Sequence, residues 1–278
     1  MTDYFAFDVV CETENLEDLL SIAITDGFSG YSESEADGKT KVNICYESES
    51  AAKEIHEILA QDYEITPVSK IENRDWNEEW KKTIKPIKIT EKIWVSPSWL
   101  PPEPTLFNDG GWIKIEPRMA FGTGHHETTR LAAKLIENCA GKTLLDIGTG
   151  SGILAFAAQI YGYVSIIGVE IDEDCRINLA ENLADNKGHA DIRFFIGGIE
   201  KINEAARFDT IVMNMIYSQS APLLGDVHNF LNKDGFLLWS GILITERGTV
   251  IEEAKKNGFE LLSEITEGEW WGGKFLRI

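Results

Sequence analysis

The stretch T-L-L-D-I-G-T-G-S-G-I-L-A-F-A-A, from Thr143 to Ala158, decides the fold of most of this 278-residue chain. Its first five residues are mainly apolar and predict a buried strand, the glycines predict a turn, and the apolar residues after them predict a helix. Similar strand-like runs recur between helical stretches at Ser165–Glu170, Arg193–Ile196, Thr210–Asn214 and Phe236–Ser240. This alternation predicts an α/β fold with a parallel sheet covered on both faces. Ligands of such sheets bind at the carboxyl ends of the strands.

The glycine loop at the end of the first strand indicates which ligand to expect. Its spacing is Gly148-x-Gly150-x-Gly152, whereas a dinucleotide loop reads G-x-G-x-x-G and faces a pyrophosphate. Asp146, just before the loop, would repel phosphates but suits a cationic sulfonium. We therefore expect S-adenosylmethionine as the cofactor, with Glu170 at the next strand end accepting both ribose hydroxyls. A tight turn with close helix packing is the structural alternative for the glycines.

The first 66 residues follow another pattern. The predicted elements are a strand at 3–11, a helix from Asn15 to Asp26, a hairpin at Asp37-Gly38, a helix from Ser48 or Ser50 to Ala60, and a strand at Tyr63–Val68. The order βαββαβ predicts an antiparallel sheet with two helices on one face, a ferredoxin-like α+β domain. We predict this domain at 1–66, a linker at 67–85 and the larger domain at 86–278.

The net charge is −20, from 46 acidic and 26 basic residues. Such a chain repels polyanions, so direct nucleic-acid binding is not expected. The charge is uneven, because residues 1–80 contain 5 basic and 20 acidic side chains, whereas residues 81–278 contain 21 and 26. The acidic segment fits a docking surface for a basic polypeptide, and solubility alone is the other explanation.

The cysteines and the chain start bear on the cellular compartment. The four cysteines lie far apart, at Cys11, Cys45, Cys139 and Cys175, which predicts neither a zinc site nor a disulfide framework. The start Met-Thr-Asp-Tyr lacks the cationic and apolar regions of a signal peptide, so we expect a cytoplasmic location. Residues 147–169 carry no charge over 23 positions, but glycines and polar residues interrupt them, and we expect no membrane span.

Further stretches resemble a known family. They are E-P-R-M-A-F-G-T-G-H-H-E-T-T at Glu116–Thr129, M-N-M-I at Met213–Ile216, D-W-N-E-E-W-K-K at Asp75–Lys82 and W-V-S-P-S-W at Trp94–Trp99. With the glycine loop and the Trp270-Trp271 tail, they are similar to the PrmA family, the methyltransferases of the large-subunit ribosomal protein L11. The A-F-G-T-G-x-H-x-T-T element is the specific part, because the glycine loop occurs throughout class I methyltransferases.

The resemblance implies a seven-stranded, mostly parallel, Rossmann-like class I methyltransferase domain with an amino-terminal substrate-recognition domain. It implies methylation of lysine ε-amines and of the terminal α-amine of that basic ribosomal protein, by a chain that we expect to be a monomer. The family's donor contacts fall on Thr129, Gly148, Glu170 and Asn214. The residues that we expect to bind the cofactor are Phe121, Gly122, Thr123, Thr128, Thr129, Asp146, Gly148, Gly150, Gly152, Glu170, Ile171 and Asn214.

This sequence departs from the family at three places. The family more often has Asp where Glu170 stands, and its strand end often reads N-I-L-A where this chain has Asn214, Met215, Ile216 and Tyr217. Glu127 replaces a frequent Pro.

The predicted catalytic residues are Asn214, Met215 and His126. Methyl transfer from a sulfonium is an in-line displacement on an activated carbon, so positioning supplies most of the rate and no metal is expected. The Asn214 amide oxygen and the Met215 carbonyl could accept N–H bonds from the target amine; an Asn that bonds its own backbone is the alternative. His126 could accept the amine proton, or it could order the Gly122–Thr129 loop over the cofactor.

Other functions are compatible with parts of the pattern. An NAD-linked oxidoreductase shares the fold but needs the other glycine spacing. A nucleic-acid methyltransferase would need a basic appended domain, and residues 1–80 are acidic. A methyltransferase of another basic protein or of a small amine, and a non-catalytic binder of a basic protein, are the remaining alternatives.

Overall fold

The computed structural model describes residues 3–36, 39–71, 84–100, 111–116, 122, 124–139 and 141–278. The chain divides into two compact units, Met1–Thr83 and Ile84–Ile278, which we call the N-terminal unit and the C-terminal unit. No helix within the described ranges is long and apolar enough to cross a membrane.

The N-terminal unit is an antiparallel sheet with two helices. Its strands are β1 (Tyr4–Glu12), β2 (Phe28–Ala36), β3 (Lys39–Tyr46), β4 (Glu64–Ile65) and β5 (Ser69–Ile71), and its helices are α1 (Leu16–Ala23) and α2 (Glu49–Leu59). The sheet order is β2-β3-β1-β4, with β5 also pairing with β1. All of these pairs are antiparallel. The predicted ferredoxin-like order is confirmed.

The alternation of apolar and polar residues along the strands explains the core of the N-terminal unit. Alternate residues of β1, namely Phe7, Val9 and Cys11, are buried in the core with Leu19 of α1 and Ile55 of α2. This is the face that the alternating sequence predicts. Helix α2 begins where it was predicted, because the Ser48 hydroxyl accepts a hydrogen bond from the Ala51 N–H at 3.2 Å.

Two features of this unit differ from the sequence prediction. Helix α1 ends at Ala23, three residues before the predicted end at Asp26. The single strand predicted at Tyr63–Val68 is replaced by the short strands β4 and β5, and β5 lies within the range assigned to the linker. The Asp37-Gly38 turn lies outside the described residues, as do Trp76 and Trp80.

The C-terminal unit is built on a seven-stranded sheet. Its strands are β9 (Thr143–Ile147), β10 (Ser165–Glu170), β11 (Asp191–Ile196), β12 (Phe208–Asn214), β13 (Leu231–Leu243), β14 (Phe259–Glu267) and β15 (Trp270–Arg277). The sheet order is β11-β10-β9-β12-β13-β15-β14. Strand β15 pairs antiparallel with both β13 and β14, whereas the other strand pairs of this sheet are parallel. The predicted mostly parallel sheet is confirmed.

Helices cover both faces of this sheet. They are α3 (Glu127–Glu137), α4 (Ile153–Ile160), α5 (Cys175–Asp185), α6 (Tyr217–Ser220), α7 (Leu224–Phe230) and α8 (Arg247–Lys256). One buried cluster contains α3 and α4 residues such as Ile136 and Phe156. The other contains α7 and α8 residues such as Val227 and Val250. The two clusters explain why the strands read as nearly continuous apolar runs.

A small sheet precedes helix α3 in the C-terminal unit. It consists of β6 (Ile87–Lys88), β7 (Ile93–Ser96) and β8 (Gly111–Lys114). Strand β7 pairs antiparallel with β6 and parallel with β8. Strand β8 packs against α4, because the side chain of Ile160 fills the space beside Gly111.

Candidate active site

A cavity of about 840 Å³ opens at the carboxyl ends of β9, β10, β11 and β12. Eight of the predicted site residues line it, namely His126, Thr128, Gly148, Gly150, Glu170, Ile171, Asn214 and Met215. The described lining contains the carboxylates Glu170, Asp172 and Glu200 but no Lys or Arg. A site with this charge balance favours a cation and disfavours a pyrophosphate.

The glycine loop, residues 148–152, forms one wall of the cavity. Gly148 and Gly150 have φ angles of 72° and 54°, in the left-handed region that glycine adopts without strain. A Cβ at Gly148 would lie 3.0 Å from the Met215 sulfur atom. The loop is pinned to the next strand, because the Gly148 and Thr149 N–H groups donate to the Val169 carbonyl at 2.9 and 3.1 Å.

Glu170 lies at the end of β10 and binds the glycine loop. Its Oε2 accepts the Gly150 N–H at 2.9 Å, and its Oε1 accepts the Asp172 N–H at 3.0 Å. Each carboxylate oxygen has a second lone pair. Glu170 can therefore hold the loop and still accept hydroxyl groups from a ligand.

Asp146 lies inside β9, beneath the glycine loop, and is fully buried. It is not part of the described cavity lining. Its Oδ2 accepts the Thr149 hydroxyl at 2.6 Å, and its Oδ1 has no partner among the described residues. Burial raises the pKa of the Asp146 carboxyl to about 7; the Thr149 hydrogen bond opposes this shift, and the charge of Glu170 adds to it. The negative charge at the cavity surface therefore comes mainly from Glu170, Asp172 and Glu200.

Asn214 is the last residue of β12, and its side chain lines the cavity. Its Oδ1 is buried and has no hydrogen-bond partner among the described residues. Buried amide oxygens are normally satisfied, so this one marks a place where a ligand donor can bind.

Met215 follows Asn214 and is held against β13. Its N–H donates to the Ser240 carbonyl at 3.1 Å. Gly241 leaves room for this backbone, since a Cβ there would lie 2.7 Å from the Met215 nitrogen and oxygen. The next side chain, Tyr217, stacks on Trp239 with ring centroids 6.4 Å apart. Tyr217 does not appear in the described lining, so its ring leaves the cavity open.

His126 caps helix α3 at the cavity wall. Its Nδ1 accepts the Thr128 N–H at 3.3 Å and lies 2.8 Å from the Thr128 hydroxyl. Its ring makes an edge contact with Trp270, with centroids 5.0 Å apart. In the neutral ring an Nδ1 that accepts a hydrogen bond leaves the proton on Nε2. This geometry favours the role in ordering the loop over the role of general base.

Three other predicted cofactor residues, Gly122, Thr129 and Gly152, are not part of the described cavity lining. Thr129 is fully buried, and its hydroxyl has no partner among the described residues. The Gly122 carbonyl accepts the Ser151 hydroxyl at 2.7 Å. Gly152 is the N-cap of α4. Phe121 and Thr123 lie outside the described residues.

Several lining residues were not anticipated as site residues. They include Asp172, Cys175, Gly197, Gly198, Glu200, Ile216, Gln219, Gly241 and Trp270. The Gly197-Gly198 pair directly follows β11, so the rule that ligands bind at strand ends could have indicated it. Trp270 carries no such local signal, because it reaches the cavity through the insertion of β15 between β13 and β14.

Comparison with known proteins shows to which family this chain belongs. The model of the family described as ribosomal protein L11 methyltransferase (PrmA) matches residues 6–275. The chain belongs to the PrmA family. The resemblance that the sequence motifs indicate is thereby confirmed.

Relatives of this PrmA-family chain carry the same description. The ribosomal protein L11 methyltransferase of Clostridium perfringens (strain SM101 / Type A) is 38% identical over 207 residues, which cover 72% of this chain and 64% of that protein. The protein of the same name from Lactococcus lactis subsp. lactis (strain IL1403) is 34% identical over 219 residues, covering 76% and 68%. The match thus spans slightly less than two thirds of the Clostridium protein.

A solved structure supports the fold of the PrmA-family chain. The crystal structure of ribosomal protein L11 methylase from Lactobacillus delbrueckii subsp. bulgaricus is 30% identical, with a TM-score of 0.64. The comparison covers 70% of this chain and 99% of that one. The predicted class I methyltransferase fold is confirmed.

Proposed function

We propose that this chain is an S-adenosylmethionine-dependent protein N-methyltransferase. Its proposed targets are lysine ε-amines and the N-terminal α-amine of ribosomal protein L11. The match to the PrmA family over residues 6–275 supports this activity. The cavity supports it independently, because a described lining with three carboxylates and no Lys or Arg suits a cationic donor.

The residues at the cavity fit the proposed donor. Gly148 and Gly150 provide close backbone approach, Glu170 can accept hydroxyl groups, and Ile171 offers an apolar surface that is 78% exposed. Thr129, the remaining donor contact that the family resemblance implies, has an unpartnered hydroxyl but is fully buried and outside the described cavity lining. When bound, S-adenosylmethionine supplies a methyl group on a positively charged sulfur, which is already activated for displacement.

The single observation that carries the proposed reaction is the unpartnered Asn214 Oδ1 beside the cavity. A lysine of pKa near 10.4 is charged at pH 7, so exposing its lone pair costs about 4.6 kcal/mol unless the site helps. A desolvated, apolar surface lowers the pKa of an amine. The Asn214 oxygen and the Met215 carbonyl would accept the remaining N–H groups of the neutral amine and orient its lone pair.

His126 would act mainly through position in this proposal. As the cap of α3 in edge contact with Trp270, it holds the wall of the cavity beside Thr128. Its alternative role, acceptance of the amine proton, requires an unprotonated ring nitrogen that faces the target amine, whereas in the tautomer described above Nε2 carries the proton.

The N-terminal unit is the proposed docking domain for the basic substrate. Residues 1–80 contain 20 acidic and 5 basic side chains, and a surface of this charge attracts a basic protein. We propose a monomeric enzyme that does not bind nucleic acid and that meets its substrate in the cytoplasm, where ribosomal proteins are made.

The decisive experiment incubates the purified chain with S-adenosylmethionine and purified ribosomal protein L11, followed by mass spectrometry of the intact product. We expect mass increases in steps of one methylene unit that disappear in Asn214→Ala. Methylation of a different basic protein or a small amine only would overturn the substrate. Donor binding without methylation of any of these would leave a non-catalytic binder. Calorimetric binding of NADH instead of S-adenosylmethionine would overturn the whole assignment.

A further inference from the structure

Three asparagines, two on one face of helix α5 and one at its C-cap, form a buried row. Asn178, Asn182 and Asn186 are spaced four residues apart, so they lie on the same side of the helix. They are 2%, 1% and 9% exposed. Buried amides must be hydrogen-bonded to be tolerated, and a row of three is therefore a specific construction.

The middle asparagine bridges two segments that are far apart in sequence. Its Nδ2 donates to the Ser151 carbonyl in the glycine loop at 2.9 Å. Its Oδ1 accepts the Glu116 N–H at 2.9 Å. Asn178 supports the same point, because its Nδ2 donates to the Glu116 carbonyl at 3.0 Å. Asn182 thus joins the end of the β8 segment to the loop that lines the donor cavity.

The Ser151 carbonyl depends on the Asn182 amide as its hydrogen-bond donor. Its carbonyl lies just before the N-cap Gly152, where the helical hydrogen bonds of α4 begin with the Gly152 carbonyl. The residue is 1% exposed, so bulk solvent does not reach its carbonyl in the folded protein. The Ser151 hydroxyl is also engaged, since it donates to the Gly122 carbonyl at 2.7 Å.

The segment formed by β10 and α5 also holds Gly150, the loop residue next to Ser151. Glu170 at the end of β10 accepts the Gly150 N–H at 2.9 Å, and Asn182 on the following helix binds the Ser151 carbonyl. Consecutive loop residues are therefore fixed from one segment, one through its N–H and one through its C=O. Glycines on both sides of Ser151, at φ 54° and 84°, give the loop many other conformations when it is released.

We propose that Asn182 is a positioning residue that fixes the glycine loop in its donor-binding conformation through the Ser151 carbonyl. This inference rests on the proposed function, because it takes S-adenosylmethionine as the ligand of the loop. Asn182 does not itself line the described cavity, so its effect on the ligand is transmitted through the backbone.

Asn186, the C-cap of the same helix, offers a control. Its Nδ2 donates to the Lys114 carbonyl at 2.6 Å and to the Asn182 backbone carbonyl at 2.7 Å, and its Oδ1 accepts the Lys114 N–H at 2.8 Å. It is the same residue type, it is buried, and it binds the backbone of β8, but its side chain makes no hydrogen bond to the glycine loop. Asn186→Ala therefore reproduces a loss of buried hydrogen bonds without releasing Ser151.

The test compares wild type, Asn182→Ala, Asn182→Asp and Asn186→Ala by calorimetric titration with S-adenosylmethionine and by thermal melting. We expect Asn182→Ala to raise the donor Kd by at least tenfold, and Asn186→Ala to change it by less than about twofold at a similar loss of Tm. Asn182→Asp keeps the acceptor for Glu116 but loses the donor to Ser151, so it should bind the donor as weakly as the alanine variant. Equal effects of both alanine variants, or wild-type affinity in Asn182→Asp, would overturn the inference.

Hydrogen exchange of the ligand-free proteins separates this inference from the proposed function. We expect the Gly150 amide to exchange at least tenfold faster in Asn182→Ala than in wild type, and to be unaltered in Asn186→Ala. Unchanged exchange in the first variant contradicts the positioning role even if the wild type binds no S-adenosylmethionine. If Asn182→Ala does not fold, Asn182→Ser is measured in its place with the same expected direction.

Discussion

Oε2 of Glu170 accepts the Gly150 N–H at 2.9 Å, so the carboxylate at the end of β10 holds the glycine loop of the preceding strand. Two neighbouring strand ends are thereby joined by one charge-assisted hydrogen bond. Such bonds are roughly twice as strong as neutral ones. Because Glu170 also lines the cavity, its removal should act on the shape and on the charge of the donor site together.

We expect Glu170→Ala to raise the Kd for S-adenosylmethionine by at least tenfold, because the variant loses a carboxylate of the cavity lining and the bond to Gly150. Isothermal titration calorimetry measures this directly. Glu173→Ala is the matched control, since Glu173 is exposed, pairs with Arg176 at 2.5 Å and does not line the described cavity. An unchanged Kd in Glu170→Ala would show that the donor does not use this strand end.

The buried carboxyl of Asp146 predicts a pH dependence of stability. Its pKa is raised from 3.8 to about 7, so the unfolded state releases this proton at lower pH than the folded state. The stabilisation is complete below about pH 4 and is lost as the pH rises to about 7. The expected loss is on the order of 4 kcal/mol at 1.36 kcal/mol per unit of pKa.

Asp146→Asn removes this titration. Urea unfolding at pH 4.5 and pH 7.5 should show that the free energy of unfolding of wild type falls relative to that of the variant as the pH rises. Asp185→Asn, at an exposed position of α5, controls for the loss of one carboxyl group. A constant difference between wild type and Asp146→Asn across this range would show that the buried carboxyl does not titrate there.

Asn214→Ala tests the amine-orienting role. With saturating donor, we expect kcat for methylation of ribosomal protein L11 to fall by at least a hundredfold, because a misoriented nucleophile loses the benefit of positioning. The Kd for the donor should change much less. Asn138→Ala, at an exposed residue after α3, is the control. Near-normal turnover of Asn214→Ala would remove Asn214 from the mechanism.

Two variants of His126 distinguish a role as helix cap from a role in proton transfer. Asn is a good N-cap residue, whereas Ala is not, and the loss of a cap costs about 0.5–2 kcal/mol. If His126 acts as the cap of α3, His126→Asn should retain most of the activity and stability that His126→Ala loses. The pH–rate profile should keep its ionisation limb in both variants. Loss of that limb in both variants would instead identify His126 as the base.

The acidic N-terminal unit predicts that substrate capture depends on salt. We expect KM for ribosomal protein L11 to rise steeply between 50 and 300 mM salt, because exposed charges are screened beyond a Debye length of about 8 Å at 0.15 M. The donor Kd, measured over the same range, shows how much of the effect belongs to the cavity. A KM that does not depend on salt would argue against electrostatic docking.

Local patterns were sufficient to predict the main elements of the fold. The strand, turn and helix around Gly148 and Gly150 follow from residues that are adjacent in sequence, and so does the antiparallel N-terminal sheet. The complete burial of Asp146 was harder to predict from the sequence. It lies in β9, an interior strand of the sheet, where Leu145 and Ile147 on either side are buried as well, so that neither face of the strand reaches solvent.

The features that the sequence did not predict depend on contacts between residues that are far apart in the chain. The four-residue spacing of Asn178, Asn182 and Asn186 is visible in the sequence, but their partners lie in β8 and in the glycine loop. The contact between His126 and Trp270 joins residues 144 positions apart (270 minus 126). Such contacts depend on the order of strands in the sheet, which local periodicity does not specify.

The placement of β15 between β13 and β14 has a consequence for synthesis on the ribosome. Until Trp270–Arg277 has left the exit tunnel, β13 lacks its partner on that side, and β14 lacks the only strand with which it pairs in the described sheet. The wall that contains Trp270 is absent from the nascent chain until then. A newly made molecule can therefore complete its cavity only after nearly all of these 278 residues have been translated.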